Sequence, residues 1–507
     1  MNKSLSDWSM LNVTGRDRFC EIMIFLEEVS RMLWLLIALF VFIFQMATIL
    51  ILEFRNPTKA IAWMFILFCF PLVGFVVYYF VAQEYSKRKQ VRSRGSRLFQ
   101  EIHGLLWKES VIVDNVEAMH NHTFRNQKRL FQLLSNISES PITGCNTSRV
   151  LTDGKEAYQA MLDAMELAKD HIHIEFYIFR EDMIGTEFQE VMIRKVKEGV
   201  KVRMVLDGIG SYHLKRPFIN RLKETGVEFH FFLPPRIATF ERRINYRNHR
   251  KIVIVDGKKG FVGGLNVGDD YLGLYPKMGY WRDTHLEVEG DAVYFLQNIF
   301  LNDWKLASNE RITDPKLFPE HQCQGEEQVQ ILSSGPDQVW DALQEMCFGA
   351  ITVANERIWI TSPYFIPDPA IYEGLKTAAV SGVDVRIIIP WNSDSKLVHL
   401  ASLSYVEELL EAGVRFYQYR KGFIHAKIMI VDHLLASVGT ANMDMRSFFC
   451  NFELTAVLFE QNAIQRIEDD FIKDLQDSTE IQPNEFLARS LLQKGGEVLC
   501  RMLSPLL

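Results

Sequence analysis

No two cysteines of this 507-residue chain stand in a CxxC pair: the seven, at positions 20, 69, 145, 323, 347, 450 and 500, are scattered from end to end. Local spacing therefore supplies neither a zinc site nor a disulfide framework, and reduced, mostly buried thiols are expected. A cationic excess is also missing. Lys and Arg total 56 against 63 Asp and Glu, a formal charge of −7. That balance argues against a protein whose affinity rests on wrapping the phosphates of long nucleic acids, and no nucleic-acid partner is expected.

Polar faces are missing from two stretches near the N-terminus. Residues 32–52 are almost unbroken Leu, Ile, Phe, Val and Trp, with Gln45 the main interruption, and residues 60–82 form a second such run after a short charged turn. A helix needs roughly 20 apolar residues to cross a bilayer, so the two runs predict a transmembrane hairpin. A cleaved signal peptide fits poorly, because the first run starts late, is long, and ends in Glu53 and Arg55 rather than at a small-residue cleavage site. Lys3, Arg16, Arg18 and Arg31 precede the hairpin and Lys87, Arg88, Lys89, Arg92, Arg94 and Arg97 follow it, which places both flanks, and the rest of the chain, on the cytoplasmic side of the membrane.

Beyond the hairpin the order of features repeats. A helical segment from Gly154 leads into the strand-like 173–179, a helix, and the strand-like 200–207; a helical segment from Asp337 leads into 358–365, a helix, and 383–390. Strands rich in β-branched residues alternating with helices predict an α/β fold: two pseudo-symmetric domains of helices packed on mixed sheets. The expected layout is an N-terminal segment 1–31, transmembrane helices 32–52 and 60–82, a basic juxtamembrane linker 83–135, a first domain 136–312, a linker 313–328 and a second domain 329–507.

Each half closes on one motif. The first is Asn248-His249-Arg250-Lys251, then Asp256, then Gly263-Gly264-Leu265-Asn266; the second is Ile424-His425-Ala426-Lys427, then Asp432, then Gly439-Thr440-Ala441-Asn442. On a strand, His249 and Lys251 share a face, as do His425 and Lys427, while Asp256 and Asp432 have the opposite parity and are expected to fix the strand end from behind. A single H-x-K-x4-D match means little, but two, each after an equivalent α/β unit and each followed at equal distance by small residues and Asn, define a site.

These paired motifs resemble those of the phospholipase D superfamily over nearly all of the chain beyond the hairpin. The resemblance implies one active site at the interface of the halves, containing His249, Lys251, Asp256, His425, Lys427 and Asp432, and a two-step displacement at a phosphodiester. It implies His249 as nucleophile and His425 as general acid and base. Lys251, Lys427, Asn266 and Asn442 would serve as donors to the phosphoryl oxygens, and Asp283 and Glu453 would orient the imidazoles. Lysines take the electrostatic role that a cation has in a metallohydrolase, so no metal and no cofactor are expected.

Arg55-Asn56-Pro57, Ala62-Trp63, Pro71-Leu72-Val73-Gly74, Ser362-Pro363-Tyr364-Phe365-Ile366-Pro367, Asn442-Met443-Asp444-Met445-Arg446-Ser447-Phe448 and the terminal Arg501-Met502-Leu503-Ser504-Pro505-Leu506-Leu507 narrow the resemblance to the bacterial cardiolipin synthases. It implies phosphatidyl transfer between two phosphatidylglycerol molecules, giving cardiolipin and glycerol through a phosphatidyl-histidine. The alternatives are a phospholipase D-type hydrolase, a transferase with another acceptor alcohol, and a membrane-tethered nuclease. Tyr364, Phe365 and Trp391 are candidates for a dry lipid-facing wall, or for plain core. Oligomeric state stays open.

Overall fold

Apolar sequence without a polar face turns into helix at the N-terminus of the computed structural model, which describes residues 7–53, 57–81, 111–235, 245–276, 278–321 and 325–506. A single helix spans Asp7–Leu52, so the expected segment 1–31 and the first span are parts of one element. Its stretch Met23–Leu52, 30 residues, is long and apolar enough to cross a membrane. At 1.5 Å per residue that is ~45 Å, against a hydrocarbon core of ~30 Å.

The second run is two helices, Pro57–Cys69 and Pro71–Val81. Pro71 lacks the N–H that would continue the ladder, and a bend follows. The break is local, because the Phe70 amide still donates to the Ile66 carbonyl at 2.8 Å and the Gly74 amide to the Phe70 carbonyl at 2.6 Å. Lys59 pairs with Glu53 at 3.1 Å, and Trp63 meets Tyr78 edge-on. The basic cluster from Lys87 to Arg97 lies outside the described residues.

The second compact unit begins at Phe80. Within it, the segment expected to be a linker up to 135 is structured from residue 111. Phe124, Leu130, Phe131 and Leu134 are buried in the core of the second half, against Met346, Ala350 and Ile351 among others. The Asn121 amide locks this attachment by donating to the carbonyls of His433 and Phe459, each at 2.8 Å.

The two halves share one mixed sheet rather than owning two. Reading outward from the centre, the first half orders its strands Ile142–Thr152, Thr284–Gly290, Lys259–Gly263, Ile252–Val255, His171–Phe176, Lys201–Asp207 and Glu228–Phe232. The second half repeats this as Glu327–Ser334, Glu453–Leu458, Leu435–Gly439, Ile428–Val431, Arg357–Thr361, Asp384–Pro390 and Arg415–Tyr419, with Ser478–Glu480 added at the edge. In each half the last three strands of the series are parallel and the others antiparallel. Ile142–Thr152 and Glu327–Ser334 pair antiparallel across the seam, making 15 strands in all. Glu327 and Gln328, assigned by sequence to the linker, are thus already seam strand.

Burial explains why the seam holds. One hydrophobic cluster belongs to the first half and another to the second with its N-terminal attachment, while a third joins Ile252, Leu286, Phe300 and Trp304 to Ile331, Phe452, Leu454 and Phe471. Two buried arginines add polar ties across it. Arg250 forms an ion pair with Asp303 and donates to the Glu453 carbonyl at 3.1 Å, and Arg282 donates to Asp474 at 2.8 Å.

The expectation of reduced thiols fails at Cys145, which is disulfide-bonded. Local CxxC spacing cannot detect a pair that is distant in sequence. Cys69, Cys347 and Cys500 are free.

Candidate active site

His249 and Lys251 lie in the extended segment just before strand Ile252–Val255, and His425 and Lys427 just before Ile428–Val431. Both segments are held by the opposite half. The His249 amide donates to the Phe452 carbonyl at 2.9 Å, and the His425 amide donates to the Arg282 carbonyl at 2.7 Å. The side chains cross over too: His249 Nδ1 meets Glu453 Oε2 at 3.0 Å, and His425 Nδ1 meets Asp283 Oδ2 at 2.7 Å. Each imidazole therefore comes from one half and its carboxylate from the other. With Nδ1–H donated to a carboxylate, each ring keeps Nε2 for chemistry.

The carboxylates are fully buried and are themselves positioned. Glu453 also accepts from the Asn451 amide at 3.0 Å and from the Thr440 hydroxyl, and Asp283 accepts from the Thr284 amide at 2.8 Å. Where the second motif has Thr440 the first has Gly264, and a Cβ at Gly264 would come within 2.1 Å of Asp283 Oδ1. The departure between the motifs thus follows from which carboxylate each supports.

Lys251 Nζ donates to the His249 carbonyl at 2.6 Å, and Lys427 Nζ repeats the bond to the His425 carbonyl. Both ammonium groups are buried. Burial lowers Lys251 to about 7, with the Lys427 charge pushing the same way against Glu453, and burial lowers Lys427 to about 8 against Asp283. Burial likewise lowers both histidines to about 4, with Lys251 and Lys427 adding to the effect at His249 and again at His425. Each lysine is felt by the other half's imidazole, which makes this one electrostatic site. Burial alone would raise Asp283 and Glu453, but His425 and Lys427, and His249 and Lys251, draw them below the usual carboxylate range.

Asp256 and Asp432, grouped with the motif by sequence, are not brought into this cluster. Asp256 accepts from the backbone amides of Lys169, Asp170 and His171, and Asp432 from those of Asn355, Glu356 and Arg357. Both adopt positive φ, 54° and 46°, at the turn that ends the motif strand. Their work is to tie that turn to the start of the neighbouring strand, in line with the opposite parity.

The two asparagines sit in the walls. Asn266 accepts from the Ile178 amide at 3.0 Å and donates to the Tyr271 hydroxyl at 3.1 Å, so most of its amide is spent on the framework. Asn442 lines a small cavity with Lys427, Ser362 and Thr361, and its buried Oδ1 has no partner among the described residues. Of the candidate lipid-facing residues, Phe365 is core, Tyr364 donates to Asp394, and Trp391 is half-exposed beneath the Arg420 guanidinium.

Sequence reasoning missed several neighbours. Tyr177 meets the His249 ring edge-on and lies under the Lys251 ammonium, while Trp281 and Phe423 flank His425. His285 is fully buried, is lowered to about 3 by burial, and has neither ring nitrogen bonded among the described residues. Only their places in sequence, each two residues before a motif histidine or an orienting carboxylate, could have signalled Phe423 and Trp281. No group of three or more His, Cys, Asp and Glu side chains suited to a metal occurs among the described residues.

The structure aligns with a solved phosphatidylserine synthase from Haemophilus influenzae over 75% of this chain and 100% of that one, with TM-score 0.57 and 15% identity, a likeness of fold. The family described as "Cardiolipin synthase, PLD-like domain" matches residues 161–304 and 348–475, and one described as "Phospholipase_D-nuclease N-terminal" matches 43–83. The chain is 44% identical to a cardiolipin synthase of Alkalihalophilus pseudofirmus over 90% of its own length and 91% of the relative's. It is 39% identical to a major cardiolipin synthase of Bacillus subtilis, over 90% and 95% respectively. The chain belongs to the cardiolipin synthase family of phospholipase D-like phosphatidyltransferases.

Proposed function

We propose that this chain makes cardiolipin from two molecules of phosphatidylglycerol. The observation that carries the chemistry is the pair of crossed imidazole–carboxylate contacts, His249 with Glu453 and His425 with Asp283, flanked by two buried lysines.

In the first step His249 Nε2 attacks phosphorus, the bond from phosphorus to the glycerol oxygen breaks, and His425 delivers a proton to the departing oxygen. In the second, His425 takes the proton from a glycerol hydroxyl of the second lipid, that oxygen attacks phosphorus, and the phosphorus–nitrogen bond breaks. The first step needs His425 protonated, and a bound phosphodiester supplies the negative charge that offsets the two lysines and raises His425 toward neutrality. Lys251 and Lys427 stabilise charge on the nonbridging oxygens throughout. One phosphodiester replaces another, so the exchange is reversible and needs no nucleotide.

Purified protein in phosphatidylglycerol vesicles is expected to release one glycerol per cardiolipin formed, read by thin-layer chromatography and glycerol assay. Phosphatidic acid as the product, without cardiolipin, would establish the hydrolase instead.

We further propose a hairpin that crosses the membrane twice, with the catalytic body in the cytoplasm. The proline bend leaves 57–81 helical on both sides of Phe70, and the cationic flanks favour the cytoplasmic face. The Cys145 disulfide points the other way, since reducing compartments disfavour such bonds. Protease added to spheroplasts is expected to spare the catalytic body and to digest it in inverted membrane vesicles; digestion in spheroplasts would reverse the orientation.

A further inference from the structure

The active site repeats its machinery but not its surroundings. Two residues before His425 stands Phe423, and two before Asp283 stands Trp281, with ring centroids 5.9 Å and 5.1 Å from His425. At the equivalent places beside His249 stand Arg247 and Asn451. One flank of the cleft carries two aromatic rings at these places, and the other carries a cationic and a polar residue there, beside Tyr177. A single reacting phosphorus, held by two matching motifs, gives no reason for that difference.

Arg247 alternates with His249 and Lys251 along an extended segment, and so shares their face. Arg446, on the short helix Met445–Phe449, reaches the same segment: Nη1 donates to Asn245 Oδ1 and Nη2 to the Asn245 carbonyl, both at 2.8 Å. Arg247 donates to the Tyr246 carbonyl at 2.7 Å. These acceptors are neutral. Neither guanidinium lies within ion-pair distance of a carboxylate among the described residues, whereas the deeper Arg250 and Arg282 are matched with Asp303 and Asp474.

The charged and titratable groups facing Arg247 are Arg446, Tyr177 and Asp207. The Asp207 carboxylate is already engaged by the amides of Ile209, Gly210 and Asn248. Burial lowers Arg247; the Asp207 carboxylate offsets part of this, and the neighbouring Arg446 adds to the lowering. Two half-buried like charges held side by side, with their forks only partly used, suit an anion with two or more acceptor oxygens.

We propose that Arg247 and Arg446 form a second phosphodiester subsite, beside His249, which holds the non-reacting phosphate of the acceptor lipid. The proposal rests on the phosphatidylglycerol reading above. In that reaction the second lipid carries a phosphate of its own, which must be bound without being attacked while its terminal glycerol hydroxyl reaches the phosphorus on His249. An arginine-lined flank next to the nucleophile provides that place, one glycerol away from the reacting centre. The flank at His425, where Phe423 and Trp281 stand in the places of Arg247 and Asn451, suits the uncharged glycerol that leaves.

The test compares two acceptors competing for the same phosphatidyl-enzyme. Wild type, Arg247→Gln and Arg446→Gln are given phosphatidylglycerol vesicles with radiolabelled glycerol; cardiolipin formation uses a phosphate-bearing acceptor, and label entering phosphatidylglycerol uses a neutral one. Each substitution is expected to lower the ratio of cardiolipin formation to glycerol exchange by about 10- to 100-fold, the range for losing a charge-assisted hydrogen bond. Arg247→Lys is expected to restore part of the ratio. A ratio that stays at the wild-type value in both glutamine variants, whether the two rates fall together or not at all, would overturn the subsite. A thermal melt close to wild type verifies folding, and a variant that does not fold is replaced by its lysine counterpart in the same comparison. Wild type that exchanges glycerol yet makes no cardiolipin would refute the phosphatidylglycerol reading instead, and the ratio is then taken between glycerol 3-phosphate and glycerol as acceptors.

Discussion

His249→Asn is expected to abolish phosphatidyl transfer and with it all covalent labelling of the protein, whereas His425→Asn lowers turnover by about 10²- to 10⁴-fold and leaves a labelled protein behind. The difference follows from their roles. Without the imidazole at 249 the two-step route has no first step. Without the one at 425 the nucleophile is intact, and the loss is that of a general acid and base. Vesicles carrying phosphatidylglycerol with radiolabelled phosphate, quenched in denaturant at alkaline pH and run on a gel, distinguish the two. Label retained by His249→Asn and absent from His425→Asn would exchange the assignments. The surroundings favour the order given: Glu453 is shared among His249, Thr440 and Asn451, while Asp283 serves His425 with one backbone amide besides. The less divided carboxylate better supports the imidazole that must carry a proton.

Lys251→Met is expected to make the protein more stable and nearly inactive. Burial holds Lys251 at about 7, well under the 10.5 of an exposed lysine, so the charged form is penalised in the folded state. Because the folded value lies below the unfolded one, this penalty is complete at pH below about 7 and vanishes only above about 10.5. Stability conferred at this position therefore rises with pH across that window, while activity falls as the ammonium is lost. Methionine keeps the apolar stem and removes the charge. A rise in Tm of roughly 1–2 °C corresponds to about 1 kcal/mol in a folded body of this size. The loss in kcat/KM is expected to be about 10²- to 10³-fold, typical of removing one donor to a developing oxyanion. Calorimetry at pH 6 in parallel with the vesicle assay gives both numbers. A lower Tm would mean that contacts of the ammonium, such as its bond to the His249 carbonyl, outweigh its burial.

How much of this was legible from sequence depends on the range of each signal. Each strand, helix and motif is a short local pattern that recurs in the same order in the second half, and hydrophobic periodicity exposes it directly, which is why both α/β halves and the four residues His249, Lys251, His425 and Lys427 could be placed. Parity along a strand even separated Asp256 and Asp432 from the lysines and histidines. What sequence could not carry was pairing across the seam. Nothing in Glu327-Gln328-Val329-Gln330 announces that it will lie beside Ile142–Thr152 and turn two sheets into one. For the same reason a composition suited to a linker concealed the start of a central strand, and helix Lys128–Asn136, adjacent in sequence to the first half, was not seen to pack on the second. Pro71 within an apolar run left the bend in the second hairpin helix readable in principle, but length and hydropathy alone pass over it.

The fused sheet has a consequence for traffic. Lobes joined by a hinge could open like a clamshell to admit a two-tailed molecule and close over it. Here the central ladder and the common core make such gaping costly, so the gap between the imidazoles keeps a constant width through the cycle. Bulky diacyl substrates must then be admitted without a clamshell motion of the two halves, which leaves any gating to loops and side chains around the site.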